Sequence, residues 1–281
     1  MTSAKVRELL LETADEKFKE FNDKLMNCPC VPSFGVRMPD VRKIAQQIIK
    51  DGWEEYLEEM ENRTVQDCEM PDCKGNREAS VQIYQEEHIL QGIVLGTAEM
   101  SREHRVKHLN SWITGVMSWA DCDSSVSGFK FMRQDQDFWF QYLCGWLDSR
   151  KEFEVRVALV ALMQYFIRDE YIDQVLEIFS RDYRASFSLV TPESYDSVVG
   201  TPDKSTQASF SAGVPYYIKM AQAWALSVCF VKFRDKTWEV FAKQSMEPWV
   251  QNKAIQKCRE SYRVSAEDKE MLLKWKMKTE R

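Results

Sequence analysis

Apolar residues recur along nearly the whole chain with the period of about 3.6 residues that places them on one side of a helix, and almost no stretch alternates like a half-buried strand. The pattern predicts helices at about 3–26, 39–51, 53–62, 79–98, 101–118, 120–133, 136–147, 152–167, 169–181, 215–232, 234–244, 247–262 and 266–278. Pro39 suits the first turn of one of them, and Ser265 followed three residues later by Asp268 is a capping signal for another. The expected fold class is all-α. From about residue 80 onward the helices pair at intervals of roughly 35 to 45 residues, each pair ending in a short polar turn, which is the spacing of HEAT-type repeats. Periodicity alone fits a globular bundle as well. Many antiparallel helices with short connections nevertheless stack naturally in one direction, which favours a helical-repeat solenoid.

One domain over 1–281 is expected, interrupted twice. The stretch 62–80, NRTVQDCEMPDCKGNREAS, is a polar insertion. The stretch 184–214 is rich in Ser and Thr and carries the breakers Pro192, Gly200, Pro202 and Gly213. Each reads either as a tolerated surface insertion or as a functional lid.

Composition changes this picture little. Hydrophobic residues make up 44% and charged residues 29% of the 281, as in an ordinary folded protein. A formal net charge of -6 and a pI near 5.4 mean that any contact with phosphates must come from a local basic patch. The opening MTSAKVRELLLETADEKFKEF mixes acids among its apolar residues, so no signal peptide or membrane anchor is expected there. No later run approaches the roughly 18 apolar residues of a spanning helix. A soluble, cytoplasmic monomer is the expectation. Eight cysteines without a secretory signal read as reduced thiols. Cys28, Cys30, Cys68 and Cys73 could instead form a four-thiolate metal site, although the CxxC pairs of a zinc ribbon are missing. Cys122, Cys144, Cys229 and Cys258 sit in apolar helical segments and read as core.

Candidate chemistry begins where charges interrupt apolar faces. If SWADCDSS (118–125) continues the preceding helix, Asp123 ends a stripe formed by Trp119, Val116 and Trp112. In FEVRVALVALMQYFI (153–167), Arg156 lines up with Val160, Met163 and Ile167 and faces inward. A buried unpaired charge is costly, so Asp123 and Arg156 either pair, cap a neighbouring helix, or line a cleft with Trp119. The apolar helix VPYYIKMAQAWALSVCFVKF (214–233) contains Lys219 and Trp224, with Tyr216 and Tyr217 at its start. In NKAIQKCRESYR (252–263), Lys253 and Lys257 are four apart, as are Arg259 and Arg263, which makes this the best local phosphate-binding candidate. His88, His104 and His108 are given no catalytic role. His104 and His108 have metal-ligand spacing but read as a surface pair.

The blocks FGVRMPDVRKIAQQI (34–48), WADCDS (119–124), FEVRVALVALMQYF (153–166), YYIKMAQAWAL (216–226) and NKAIQKCRESYRVS (252–265) resemble, in order, those of the AlkD-like family of DNA alkylation repair proteins. The resemblance implies a curved solenoid of HEAT-like repeats whose concave face holds duplex DNA. It implies hydrolysis of the N-glycosidic bond of positively charged N3- and N7-alkylated purines, with the lesion left stacked rather than flipped. No metal or organic cofactor is implied. Trp119, Asp123 and Arg156 match the family's catalytic Trp, Asp and Arg, and Trp224 matches a further aromatic at the lesion. Lys219, Lys253, Lys257, Arg259 and Arg263 would then contact DNA. Some relatives bind unusual DNA structures without cleaving them, so a non-catalytic DNA-binding module is a second reading. A protein-interaction scaffold is a third.

Overall fold

The computed structural model describes residues 1–26, 31–67, 83–187 and 214–278. Among them every regular element is helical: α1 (Ser3–Glu12), α2 (Glu16–Met26), α3 (Met38–Asp51), α4 (Glu54–Asp67), α5 (Gln85–Thr97), α6 (Arg102–Thr114), α7 (Trp119–Val126), α8 (Gln136–Trp146), α9 (Glu152–Tyr165), α10 (Ile172–Ser180), α11 (Arg184–Phe187), α12 (Tyr216–Lys232), α13 (Arg234–Lys243), α14 (Pro248–Glu260) and α15 (Ala266–Met271). Short 3₁₀ turns cover Lys130–Arg133 and Leu272–Trp275. The all-α class expected from periodicity is what folds. Most of the two predicted insertions, and with them Cys28, Cys30, Cys68 and Cys73, lie outside the described residues.

Local signals set the helix ends. The Thr2 hydroxyl caps α1 by accepting from the Lys5 amide at 3.3 Å, and the Asp15 carboxylate accepts from the Phe18 amide at 3.0 Å. The predicted helix at 3–26 is therefore two, because Asp15 begins a new one. Pro39 does stand in the first turn of α3. Ser265 caps α15 by accepting from the Asp268 amide at 3.0 Å, as its spacing predicted.

The described residues fall into two compact units, one from Met1 to Phe131 and one from Met132 onward. In the first, α5 packs between α3 and α7, while α6 packs on α4 and α5. α1, α3, α5 and α7 thus pack in succession with α4 and α6 beside them, as in a helical repeat. Buried Trp112, Tyr56 and Phe129 fill this unit. The Glu87 carboxylate ties three helices together: it accepts two bonds from Arg7 at 2.8 and 2.9 Å and one from Arg63 at 3.2 Å.

The FGV segment at 34–36 is held from α5. The Glu86 carboxylate accepts the Phe34, Gly35 and Val36 amides at 2.9, 2.8 and 3.0 Å. Gly35 has φ +81, and a Cβ there would come within 2.5 Å of the Lys19 Cβ. Only glycine fits both the backbone and the space.

In the second unit α12 is central, packed against α9 and α14, with α10 and α13 also against it. Phe166, Phe179, Leu226 and Phe241 are among its buried residues. No described helix is long and apolar enough to cross a membrane.

Candidate functional site

The expected stripe from Trp112 to Asp123 does not lie on one helix. α6 ends at Thr114 with Gly115 as its cap, and the chain extends to Ser118, whose hydroxyl accepts from the Asp121 amide at 3.1 Å and starts α7. This resets the helical phase. Asp121, Cys122, Ser125 and Val126 form the buried side of α7, while Trp119, Ala120, Asp123 and Ser124 are partly exposed. Trp119 and Asp123 therefore share a face, as their spacing of four predicts, but it is the accessible face. The buried carboxylate is Asp121. A signal for it stood in the sequence: Ser118 followed three residues later by an acid is a helix start, and counting from it puts Asp121 inward.

Asp121 lies against α5. Its Oδ2 is 3.9 Å from Nδ1 of buried His88, whose ring stacks on Trp112 with centroids 5.5 Å apart. Burial pushes the Asp121 carboxyl up to about 7, and burial lowers the His88 imidazole to about 4.

In the second unit Arg156 is buried, as expected, with 4% of its surface exposed. Its Nη1 donates to the Tyr217 carbonyl at 2.9 Å, and its guanidinium lies 5.7 Å from the Tyr217 ring centroid. One turn earlier, the Glu152 carboxylate accepts the Tyr217 amide at 2.6 Å. Glu152 and Arg156 thus grip both polar groups of one peptide residue in the first turn of α12. Lys219 is also buried, 3.9 Å from the Glu247 carboxylate and 5.2 Å from the Trp249 ring centroid. Burial lowers its pKa, with Glu247 opposing. Trp224 is partly exposed on α12.

The predicted four-cation patch divides. Lys253 and Lys257 are partly exposed on α14. The Lys257 ammonium has its pKa lowered by burial, then by the nearby charges of Lys253 and Arg156, with Glu260 opposing. Lys253 and Arg156 thus stand near enough to act on the Lys257 charge. Arg259 turns away, donating to the Lys269 carbonyl at 3.1 Å and standing 3.7 Å from Glu270, so it fastens α14 to the segment of α15. Arg263 lies beyond the end of α14 and is exposed. The reason is helical geometry: two residues from Lys257 to Arg259 are about 200° of rotation, and Arg263 falls past the last turn.

His104 and His108 are not a surface pair. His104 is exposed, but His108 is buried and bonded through Nδ1 to Glu61. Among the described residues no group of three or more His, Cys, Asp or Glu could hold a metal ion. Cys122, Cys229 and Cys258 are buried free thiols, and burial pushes the latter two well up.

The model of the DNA alkylation repair enzyme family matches residues 6–187, more than half of the chain, so this protein belongs to that family. No curated protein and no solved structure gives a significant match. The matched span contains Trp119, Asp123 and Arg156; Lys219, Trp224, Lys253 and Lys257 lie beyond it.

Proposed function

We propose that this protein, whose family supports a role in DNA repair, is an alkylpurine DNA glycosylase. Its substrate would be duplex DNA carrying N3- or N7-alkylated purines. The observation that carries the reading is that Trp119 and Asp123 share the accessible face of a helix whose other face is anchored in the core, inside the family-matched span.

The residue types suit the chemistry. An alkylated purine is already cationic, so its bond to C1′ breaks with the electron pair leaving on the base nitrogen and without a strong general acid. Positive charge appears on the deoxyribose, as in sugar hydrolysis. The Asp123 side chain stabilises that charge and orients the water that adds to C1′, which then gives up a proton; free base and an abasic site result. Trp119 offers a π face to the cationic nucleotide, and Trp224 is the further aromatic that the family resemblance associates with the lesion. Lys253 and Lys257 meet backbone phosphates, and Arg156, buried against the Tyr217 carbonyl, adds its charge from beneath them. The base need not be flipped, because the groups invoked act on sugar and backbone.

The test is base release from duplex DNA containing 7-methylguanine and 3-methyladenine, in EDTA, by wild type and Asp123→Asn. Wild type should release both bases, and the variant should be slower by on the order of 10². Equal rates would remove Asp123 from the mechanism. No release by folded wild type, with salt-sensitive DNA binding retained, would favour the non-catalytic DNA-binding reading, which the nearness of Lys253 and Arg156 to Lys257 also supports. No DNA affinity even at low salt would leave the scaffold reading.

A further inference from the structure

α7 is seated on α5 by a run of unusually close contacts. His88, Gly92 and Gly96 follow one another at intervals of four along one face of α5. A Cβ on Gly92 would fall 2.2 Å from the Ser125 Oγ, and one on Gly96 would fall 2.9 Å from the Gly128 carbonyl oxygen. With His88 opposite Asp121, the order of contacts ascends in both helices, so they run parallel at near-backbone contact.

Buried in that seam are three polar residues, with exposures of 4% for His88, 1% for Asp121 and 1% for Ser125; Gln91, one turn from His88 on α5, is 0% exposed. Asp121 Oδ2 accepts from the Met117 amide at 3.4 Å. Asp121 Oδ1, both His88 ring nitrogens, both Gln91 amide atoms and the Ser125 hydroxyl have no hydrogen-bond partner in the protein. Buried polar atoms are rarely left in this condition, and a structural core would be more stable with apolar residues here. The accessible Trp119 and Asp123 flank Asp121 at two residues on either side, about 200° around the same turn. Any shift of Asp121 against α5 is therefore transmitted to both.

We propose that Asp121, buried 3.9 Å from His88 in this seam, is a positioning residue that seats the first turn of α7 and so sets the directions of Trp119 and Asp123. This rests on the glycosylase reading for its effect on rate, but not for its effect on α7. Ionised, Asp121 would keep the Ser118 hydroxyl and the Met117 and Ser118 amides but would have no cationic partner in the seam, and the turn would shift to hydrate it. The other charges on the surrounding elements are committed elsewhere. Glu86 holds the 34–36 amides and further disfavours charge on Asp121; Glu87 is paired with Arg7 and Arg63. On α6, Arg105 donates to the Leu95 and Ala98 carbonyls, and His108 pairs with Glu61. α3 turns Val41, Ile44, Ala45 and Ile48 inward.

The experiment compares wild type, Asp121→Asn and Asp121→Leu across neutral pH, by single-turnover base release and by the ¹⁵N–¹H indole resonance of Trp119, assigned with Trp119→Phe. Wild type should lose rate as pH rises through about 7, and Asp121→Asn, which cannot ionise, should keep the low-pH rate throughout. Asp121→Leu, checked by circular dichroism to be folded, should be slower by on the order of 10-fold at every pH. The Trp119 resonance should move with the same midpoint in wild type and not in Asp121→Asn. If wild type releases no base, the glycosylase reading fails and the resonance alone decides the positioning role. A Trp119 signal that titrates identically in wild type and Asp121→Asn, or in neither, overturns it.

Discussion

The pair Asp121 and His88 has a consequence for stability that a single residue would not. Asp121 has its pKa raised from 3.8 to about 7, so the stability linked to it is present below about 4 and is lost as pH rises through about 7. His88 has its pKa lowered from 6.5 to about 4, so its contribution is present above 6.5 and is lost as pH falls through about 4. Between these limits the two slopes oppose each other, and wild type should be nearly indifferent to pH from this source. Asp121→Asn removes one slope. Urea denaturation of that variant should show stability rising from about pH 4 to about pH 6.5, by up to about 3 kcal/mol. A profile parallel to wild type would mean that Asp121 and His88 titrate as an ion pair or not at all. Arg156 shows the same lesson of divided duty: a guanidinium that donates to the Tyr217 carbonyl still contributes charge to Lys257.

Among elements, α7 is the informative one. It has only eight residues, too short to hold a helix by its own hydrogen bonds, so its conformation depends on Ser118 at its start and on packing against α5. Gly92→Ala should therefore be costly in proportion to what the inserted Cβ meets, about 1–3 kcal/mol in urea denaturation, despite the higher helix propensity of alanine. Combining it with Ser125→Gly, which removes the Oγ and Cβ nearest the new methyl, should recover part of that loss. Full additivity of the two substitutions would show that α5 and α7 do not meet where the structure puts them.

For the whole molecule, a net charge of -6 makes DNA affinity a local matter. Lys253 and Lys257 are partly exposed on α14, so their joint replacement by Gln should weaken duplex binding at low salt. It should also reduce the slope of log affinity against log salt by about 1.8, the effect of two lost phosphate contacts. Replacing Arg259, which is fastened to Lys269 and Glu270, should leave the slope nearly unchanged. Equal slopes for wild type and the Lys double variant would remove α14 from the DNA-binding surface.

Much of this protein is legible along the chain because helices are governed by local interactions. Periodicity of apolar residues gave the all-α class, Ser265 and Pro39 marked real helix starts, and the inward direction of Arg156 followed from its phase within one uninterrupted helix. The spacing of Trp119 and Asp123 likewise put them on one face. Phase, however, does not survive a break in a helix. Gly115 to Ser118 turned the Trp119 and Asp123 face outward and Asp121 inward, and the end of α14 separated Arg263 from Lys253. What surrounds a charge is decided only by tertiary structure, because desolvation and pairing depend on residues distant in sequence. Glu86 meets the 34–36 amides, Arg156 meets Tyr217, and His88 meets Asp121 only when the helices pack.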